Sequence, residues 1–463
     1  MSSGIQYAGE YILKEASLVT SSGVVFDLMG TILGIEIYEN IFSTSISGNF
    51  VLVDENNIVT NGPIIGQEYL YLKIGTPSLD GYDIDFSKVP FTTYKINTRE
   101  DANKNSQLLQ VSFTSPEIIR DKRVRVSKSY TESIDKIVEN ILREERYINT
   151  PKKLDIEPTS GIRKVISPNL HPFHFITNLA TEAVSSKDNN PFFLFYETTK
   201  GINFKSLESM FAEDTVGDYA LGDFGQNQGK KPDVKKELGR ILNFEIAANN
   251  DMLTNIVSGM LGSSIIEYNI YNKSFNKSTY NYIDDFNKFQ RIHYKKDFYD
   301  NPIYSESPID DKNNTVGSFT DARIHLHSVS SGDTFDTQHT DTTSLYKYQP
   351  NKIKDTLLHR QAKFSELRDG ISIKMSINGS TNICVGQTIN VNIPVTGKTH
   401  EGPYDKYYTG KYLITRLKHS FDNINKKHEI TLSAAKDSIS DIIPSGDNIP
   451  EKVISSTNTI NYT

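Results

Sequence analysis

Two stretches of this chain, separated by about 320 residues, follow one template. The first reads Gly66-Gln67-Glu68-Tyr69-Leu70-Tyr71, then Tyr94-Lys95-Ile96, then Leu109-Gln110-Val111-Ser112-Phe113. The second reads Gly386-Gln387-Thr388-Ile389-Asn390-Val391, then Tyr412-Leu413-Ile414, then Glu429-Ile430-Thr431-Leu432. Tyr94 stands 28 residues after Gly66, and Tyr412 stands 26 after Gly386. All six segments alternate apolar and polar residues with the period of two of half-buried antiparallel strands. Glycine-then-strand patterns also recur by chance in β-rich chains, so coincidence is the competing reading. A duplicated β-module would give each chain two similar surfaces, which suits ring building better than chemistry.

With 463 residues the chain can hold roughly three domains, each with its own core. Charged residues make up 23 % and the net charge is −7, with no polybasic block. Proteins that grip nucleic acid or an anionic membrane surface need clustered Lys and Arg, so both classes are disfavoured. Cys384 is alone, so no intrachain disulfide can form, and assembly in a reducing cytoplasm fits. The segment Met1–Tyr7 lacks the charged start and apolar run of a signal peptide. No apolar run reaches the length of a membrane helix, so no membrane insertion is expected.

The predicted fold class is α+β, mainly β, with two similar small tube-type antiparallel β-barrels. Residues 1–116 read as the first barrel, a set of short strands separated by turn formers such as Ser21-Ser22-Gly23 and Asn61-Gly62-Pro63. Closing such strands into a barrel would remove exposed edges. Residues 117–212 read as an inserted α+β domain. Its clearest helix carries Ile134, Ile137, Val138, Ile141 and Leu142 at helical spacing, after a capping box at Ser129-Tyr130-Thr131-Glu132. A second helix is expected over Pro172–Val184, with strands at Phe192–Glu197 and near Ile202–Lys205. Residues 213–235 read as an exposed loop, and 236–290 with 351–446 as the second, split barrel. In the first part, Asp251 should cap a short helix with Leu253, Ile256, Val257, Met260 and Leu261 inward. Residues 291–350 read as a polar insertion and 447–463 as a C-terminal tail.

The search for chemistry returns no catalytic, cofactor-binding or metal-binding residue. His325 and His327 share a strand face near His339, but surface histidines in a polar insertion explain them better than a metal. His171 and His174 read as ordinary helix-start residues. Gly225-Gln226-Asn227-Gln228-Gly229-Lys230-Lys231 has the wrong glycine spacing for a phosphate loop and no leading strand. Cys384 has no nearby base, and carboxylates such as Asp284-Asp285 and Asp310-Asp311 suit a solvated surface.

Ile37-Tyr38-Glu39-Asn40-Ile41-Phe42, Gly48–Asp54 and Gly66-Gln67-Glu68 in the first module resemble the baseplate hub family of contractile-tail bacteriophages. So do Tyr412–Asp422, His428-Glu429-Ile430-Thr431-Leu432 and Tyr280-Asn281-Tyr282-Ile283-Asp284-Asp285-Phe286. That family includes the central hub of T-even-like phages, the late control protein D group and the base of the VgrG spike of type VI secretion. The resemblance covers about 1–290 and 351–440. It implies a virion protein of the tail baseplate, assembled in the host cytoplasm. It implies a homotrimer whose six barrels join a sixfold tail tube, or tube-initiator hexamer, to a trimeric cell-puncturing spike. Tape measure and wedge proteins would be further partners, and DNA would only pass through the lumen. No glycine-periodic β-helix or added lytic domain is visible, so the resemblance implies a separate spike, no cofactor and no enzymatic activity. Two other classes remain open. A host-glycan or receptor-binding tail protein would use the 25 tyrosines, and a cell-wall hydrolase would use the unassigned carboxylates.

Overall fold

The structure is a computed structural model. It describes residues 7–55, 58–62, 64–77, 79, 81–103, 106–221, 234–249, 251–269, 273–293, 300–310, 312–328, 353–395 and 404–443. Alternating sequence at the start builds β1 (Ile12–Val19), β2 (Val25–Asp27), β3 (Ile32–Asn40) and β4 (Ser47–Asp54). After the single turn α1 (Ile58–Asn61) come β5 (Tyr69–Gly75), β6 (Ile84–Asp85), β7 (Phe91–Asn103) and β8 (Ser106–Thr114). One side of these strands, including Ile37, Phe50, Leu70, Leu109, Val111 and Phe113, is buried in a single core.

The next region packs a second core from α2 (Pro116–Asp121), β9 (Ser129–Glu132), α3 (Ile134–Arg143), β10 (Leu154–Ile156) and β11 (Arg163–Ile166). It is completed by α4 (Pro172–Glu182), β12 (Phe193–Thr198), β13 (Gly201–Ser206) and α5 (Leu207–Ala212). The expected face of α3 is the buried one. Its start differs from expectation. Ser129–Glu132 is not a capping box but a strand paired antiparallel with β11, and Ser133 occupies the N-cap.

The second half begins with β14 (Asp218–Ala220), α6 (Val234–Leu238), β15 (Ile241–Asn249) and α7 (Met252–Val257). Then follow β16 (Gly262–Asn269), β17 (Ser274–Asn281), α8 (Tyr282–Asp285), β18 (Ile324–Ser328) and α9 (Ile353–Asp369). The last strands are β19 (Ile371–Asn378), β20 (Thr388–Asn392), β21 (Gly410–Asp422) and β22 (Lys427–Lys436). β16, β17 and β18 form their own three-stranded sheet, packed with α9 around Met260, Ile265 and Leu358, so they do not join the second large set of strands. Asp251 does cap α7, accepting from Thr254 N–H at 3.1 Å. Leu253 and Val257, expected inward, are each 72 % exposed.

β9–β13 form two small sheets of their own, and the other strands make one continuous 14-stranded sheet. Its first half runs β3-β4-β8-β7-β5-β1, and its second runs β15-β19-β22-β21-β20, with β14 beside β20. Matched in chain order, these are one and the same arrangement, except that β14 is parallel to β20 while β1 is antiparallel to β5. Two irregularities match too, although β7 has further bulges after Ile96 and Asp101, and β15 one after Ile246, that β21 and β3 lack. A bulge between Ile32 and Gly34 corresponds to one between Ile241 and Asn243, and a bulge between Thr93 and Lys95 to one between Ile414 and Arg416. Cross-strand register then pairs Leu109 with Ile430, Val111 with Leu432 and Phe50 with Met375 as equivalent residues. The expectation of two closed barrels is corrected. Among the described residues no sheet closes on itself: in the first half β21 occupies the outer edge of β3 and β2 that of β1, and in the second half β14 and the start of β15 meet only at an isolated bridge between Ala220 and Arg240.

Candidate functional site

Among the described residues no group of His, Cys, Asp and Glu is placed to hold a metal ion. His325 lies on β18 with Nε2 2.5 Å from Gln361 Oε1, and His327 follows on the same strand, while His339 lies outside the described residues. His171 is the N-cap residue of α4, its Nδ1 2.9 Å from the Asp121 carbonyl, and His174 is exposed. Gly225–Lys231, Asp311 and the tail 447–463 also fall outside the described residues. Asp310 caps its own turn, accepting from Lys312 and Asn314 N–H. Cys384 is buried, and burial pushes its thiol up to about 12. Among the described residues no helix is long and apolar enough to cross a membrane.

Buried charge is abundant, and its two largest clusters are paired. Arg291 pairs with Glu366 at 2.5 Å, and Lys363 pairs with Asp437, which also accepts from Ile292 N–H at 3.0 Å. The four side chains tie α9 and the segment after α8 to the end of β22. Lys152 joins Glu117 at 2.7 Å and Glu197 at 2.5 Å, and Glu197 accepts from Ile46 N–H at 3.1 Å, fastening the α+β region to the first core. Charges held in this way position elements. They offer no free base or nucleophile.

The feature with most to say about function is the seam where the two halves meet. β21 runs antiparallel to β3, with Arg416 opposite Asn40 and Asp422 opposite Gly34. Ile37–Phe42 and Tyr412–Asp422, far apart in sequence, thus become neighbours. The inward side chains Leu417, His419 and Phe421 are buried, and Phe421 belongs to the first core although its strand belongs to the second half. Phe421 stacks on His428 with ring centroids 4.1 Å apart and meets Tyr11 edge-on at 5.1 Å. His419 Nδ1 lies 3.0 Å from His428 Nε2. Burial holds His419 down at about 3, and burial plus its neighbour His419 holds His428 well below the ordinary histidine range. Both rings are therefore neutral.

Glu39, on β3, anchors three regions. Its carboxylate accepts from Val385 N–H at 2.9 Å in the second half and from Thr199 N–H at 2.7 Å in the α+β region. Burial pushes its carboxyl up to about 7. On the wetter face Lys418 pairs with Glu36 at 3.1 Å. Sequence reasoning quoted the segments holding Glu39, His419 and His428 but gave these side chains no role. Period-two alternation marks them as lying on strands, and nothing in it reveals which strand lies alongside.

Gly66 and Gly386 both have left-handed backbone, with φ of 86° and 81°, just before β5 and β20. A Cβ on Gly66 would sit 3.1 Å from the Tyr94 carbonyl oxygen, and one on Gly386 would overlap the Tyr196 hydroxyl. Glycine is needed at both places. The sequence template was nonetheless displaced in register. Glu68 carbonyl accepts from Thr93 N–H and Gln387 carbonyl accepts from Ile414 N–H, so Thr93, not Ile96, corresponds to Ile414.

No protein-family model matches the chain, and no curated protein does. Solved structures to which the chain is similar include the tail protein from Neisseria meningitidis MC58, at 10 % identity and TM-score 0.49, covering 93 % of this chain and 98 % of that one. The 43 kDa tail protein of prophage MuSo2 from Shewanella oneidensis is 9 % identical with TM-score 0.48, covering 92 % and 100 %. Prophage tail protein gp18 from Listeria monocytogenes EGD-e is 12 % identical with TM-score 0.46, covering 92 % and 96 %.

Proposed function

We propose that the chain is a structural hub of a contractile phage tail, a virion protein of the baseplate. It carries two copies of one β-module, so that three chains present six like modules in a ring. The single observation that carries this reading is the matched strand order of the two halves, including equivalent bulges, joined edge to edge by β21 and β3. A trimer with one module per chain would offer only three copies of any surface to a sixfold tube. Two modules per chain supply the missing three. The opposite side of the ring would take a trimeric spike. No catalytic step is part of the role. Native mass measurement of the full chain should give three copies, and two-dimensional class averages should show a ring of six lobes. A monomer at micromolar concentration, retained on a host polysaccharide, would favour the receptor-binding alternative.

A further inference from the structure

Six strands of each half match, β2 and β6 being extra in the first, so the counterparts of the internal seam can be found. The seam joins β21 to β3. The counterpart of β21 is β7, and the counterpart of β3 is β15. Both counterparts have an open edge. Among the described residues β15 ends the large sheet and no strand but β19 pairs with it, although Arg240 just before it bridges to Ala220. β7 pairs with β8 along its length but with β5 only at Phe91 and Thr92, so no described strand covers its other edge from Lys95 to Asp101. Side chains agree. Lys95, Thr98, Arg99 and Glu100 on β7 are exposed, as are Asn243, Glu245 and Ile246 on β15, the last at 41 %. Long open edges are templates for pairing and are rarely left bare.

We propose that β7 of one copy pairs antiparallel with β15 of the next, repeating between chains the seam that β21 and β3 make within each chain. This deepens the ring reading above and rests on it. The contact is head to tail, because β7 and β15 are different surfaces, and such contacts build closed rings when the rotation returns to its start. Each three-chain ring would then contain six like seams, three within chains and three between them. Register carries over for Arg99–Asp101 opposite Phe244–Ile246, the stretch between bulges after Ile96 and Ile246 that the internal seam lacks. Ser420 faces Glu36 at the internal seam, and their counterparts are Glu100 and Glu245. Asn423 N–H donates to the Leu33 carbonyl across the seam, so alternation points the N–H of Phe421 and His419 the same way and that of Ser420 away. Glu100 and Glu245 thus form a non-hydrogen-bonded pair, with Cα atoms about 4.5 Å apart, within disulfide reach. Opposed carboxylates weaken this seam, although Lys374 stands opposite Glu245 on β19. Glu100→Gln should therefore tighten assembly.

The test uses the full chain with Glu100→Cys and Glu245→Cys together, the native Cys384 being buried. Mild oxidation should give disulfide-linked dimers and trimers on a non-reducing gel, and neither single variant should do so. Native mass measured beside it separates the outcomes. A trimer that does not cross-link overturns the edge pairing and leaves the ring reading standing. A monomer overturns both. A ladder running past three supports the edge pairing and overturns the three-chain ring. Arg99→Pro, which removes an N–H on the open edge of β7, should lose the trimer mass with an unchanged circular dichroism spectrum. Persistence of its trimer overturns the proposal.

Discussion

The strands β7 and β21 hold the same place in matching sheets and have the same length, 13 residues, yet they carry different side chains. On β21 the residues at the seam are Leu417, His419 and Phe421, all buried. Their counterparts on β7 are Ile96, half-buried, and Arg99 and Asp101, both exposed. Backbone path is therefore shared while side-chain chemistry follows what covers the edge. The permanent, intrachain seam is sealed with rings. The open one carries charges, which keep an unassembled chain from pairing at random.

Equivalence itself is the first thing to break. Leu109 and Ile430 hold corresponding places, opposite Leu52 and Ile377, and both are fully buried. Leu109→Asp and Ile430→Asp should each cost several kcal/mol, since an unpaired carboxylate would be buried. Both should abolish soluble protein. A folded Leu109→Asp beside an unfolded Ile430→Asp would show that the two halves do not share one core plan. The next effect separates the halves. Phe421→Ala should destabilise by about 3–5 kcal/mol, because it empties a site between two cores. Asp101→Ala at the counterpart should change stability by no more than about 0.5 kcal/mol in the isolated chain. Urea unfolding of the two variants under conditions that hold the chain monomeric reads the contrast directly.

How much of this was legible beforehand differs by element. The face of α3 could be read because apolar residues alone bury it. α9 could not be read, because its buried side includes Lys363 and Glu366, matched by Asp437 and Arg291 from elsewhere in the chain. A search for apolar periodicity passes over such a helix. The repeat was visible as spacing but misregistered: Phe91–Thr93, not Tyr94–Ile96, correspond to Tyr412–Ile414, and β7 carries bulges after Ile96 and Asp101 that β21 lacks, which no pattern of residue types marks. β14 was hidden by its length, three residues within a glycine-rich stretch. The seam was hidden for a deeper reason. Strand pairing between residues 380 apart is decided by packing, and no local signal marks a partner.

The neutral histidine pair makes the intrachain seam sensitive to acid in a way its counterpart is not. Arg99 and Gln107 stand where His419 and His428 stand, so no imidazole lies at the corresponding place. Both histidines have folded values below the ordinary 6.5, so the unfolded chain binds more protons as pH falls. Their contribution to stability is complete above pH 6.5 and is lost progressively toward pH 3. At pH 5.5 the pair should cost about 2–3 kcal/mol, from about 1.4 kcal/mol per pH unit per group. Urea midpoints at pH 7.5 and 5.5 measure it. A His419→Asn, His428→Asn double variant, weaker at neutral pH, should lose the extra acid sensitivity. An equal drop in that variant would assign the sensitivity to other groups.

The smallest effect lies on the wet face of the same seam. Lys418 and Glu36 are 3.1 Å apart but about one-third exposed, so water and salt screen their attraction. Burial works against the Glu36 carboxylate, yet hydrogen bonds from Tyr38 and Lys418 hold its carboxyl below the usual range. Lys418→Ala should cost only about 0.2–1 kcal/mol, and a double-mutant cycle with Glu36→Ala should give a coupling of that size that fades in high salt. The counterparts Thr98 and Glu245 cannot form an ion pair, so the corresponding cycle on the proposed ring should give none. A strong, salt-insensitive coupling between Lys418 and Glu36 would mean that polar contacts, as well as the buried rings, hold the two halves together. The charged edge of β7 would then count as an interface in its own right.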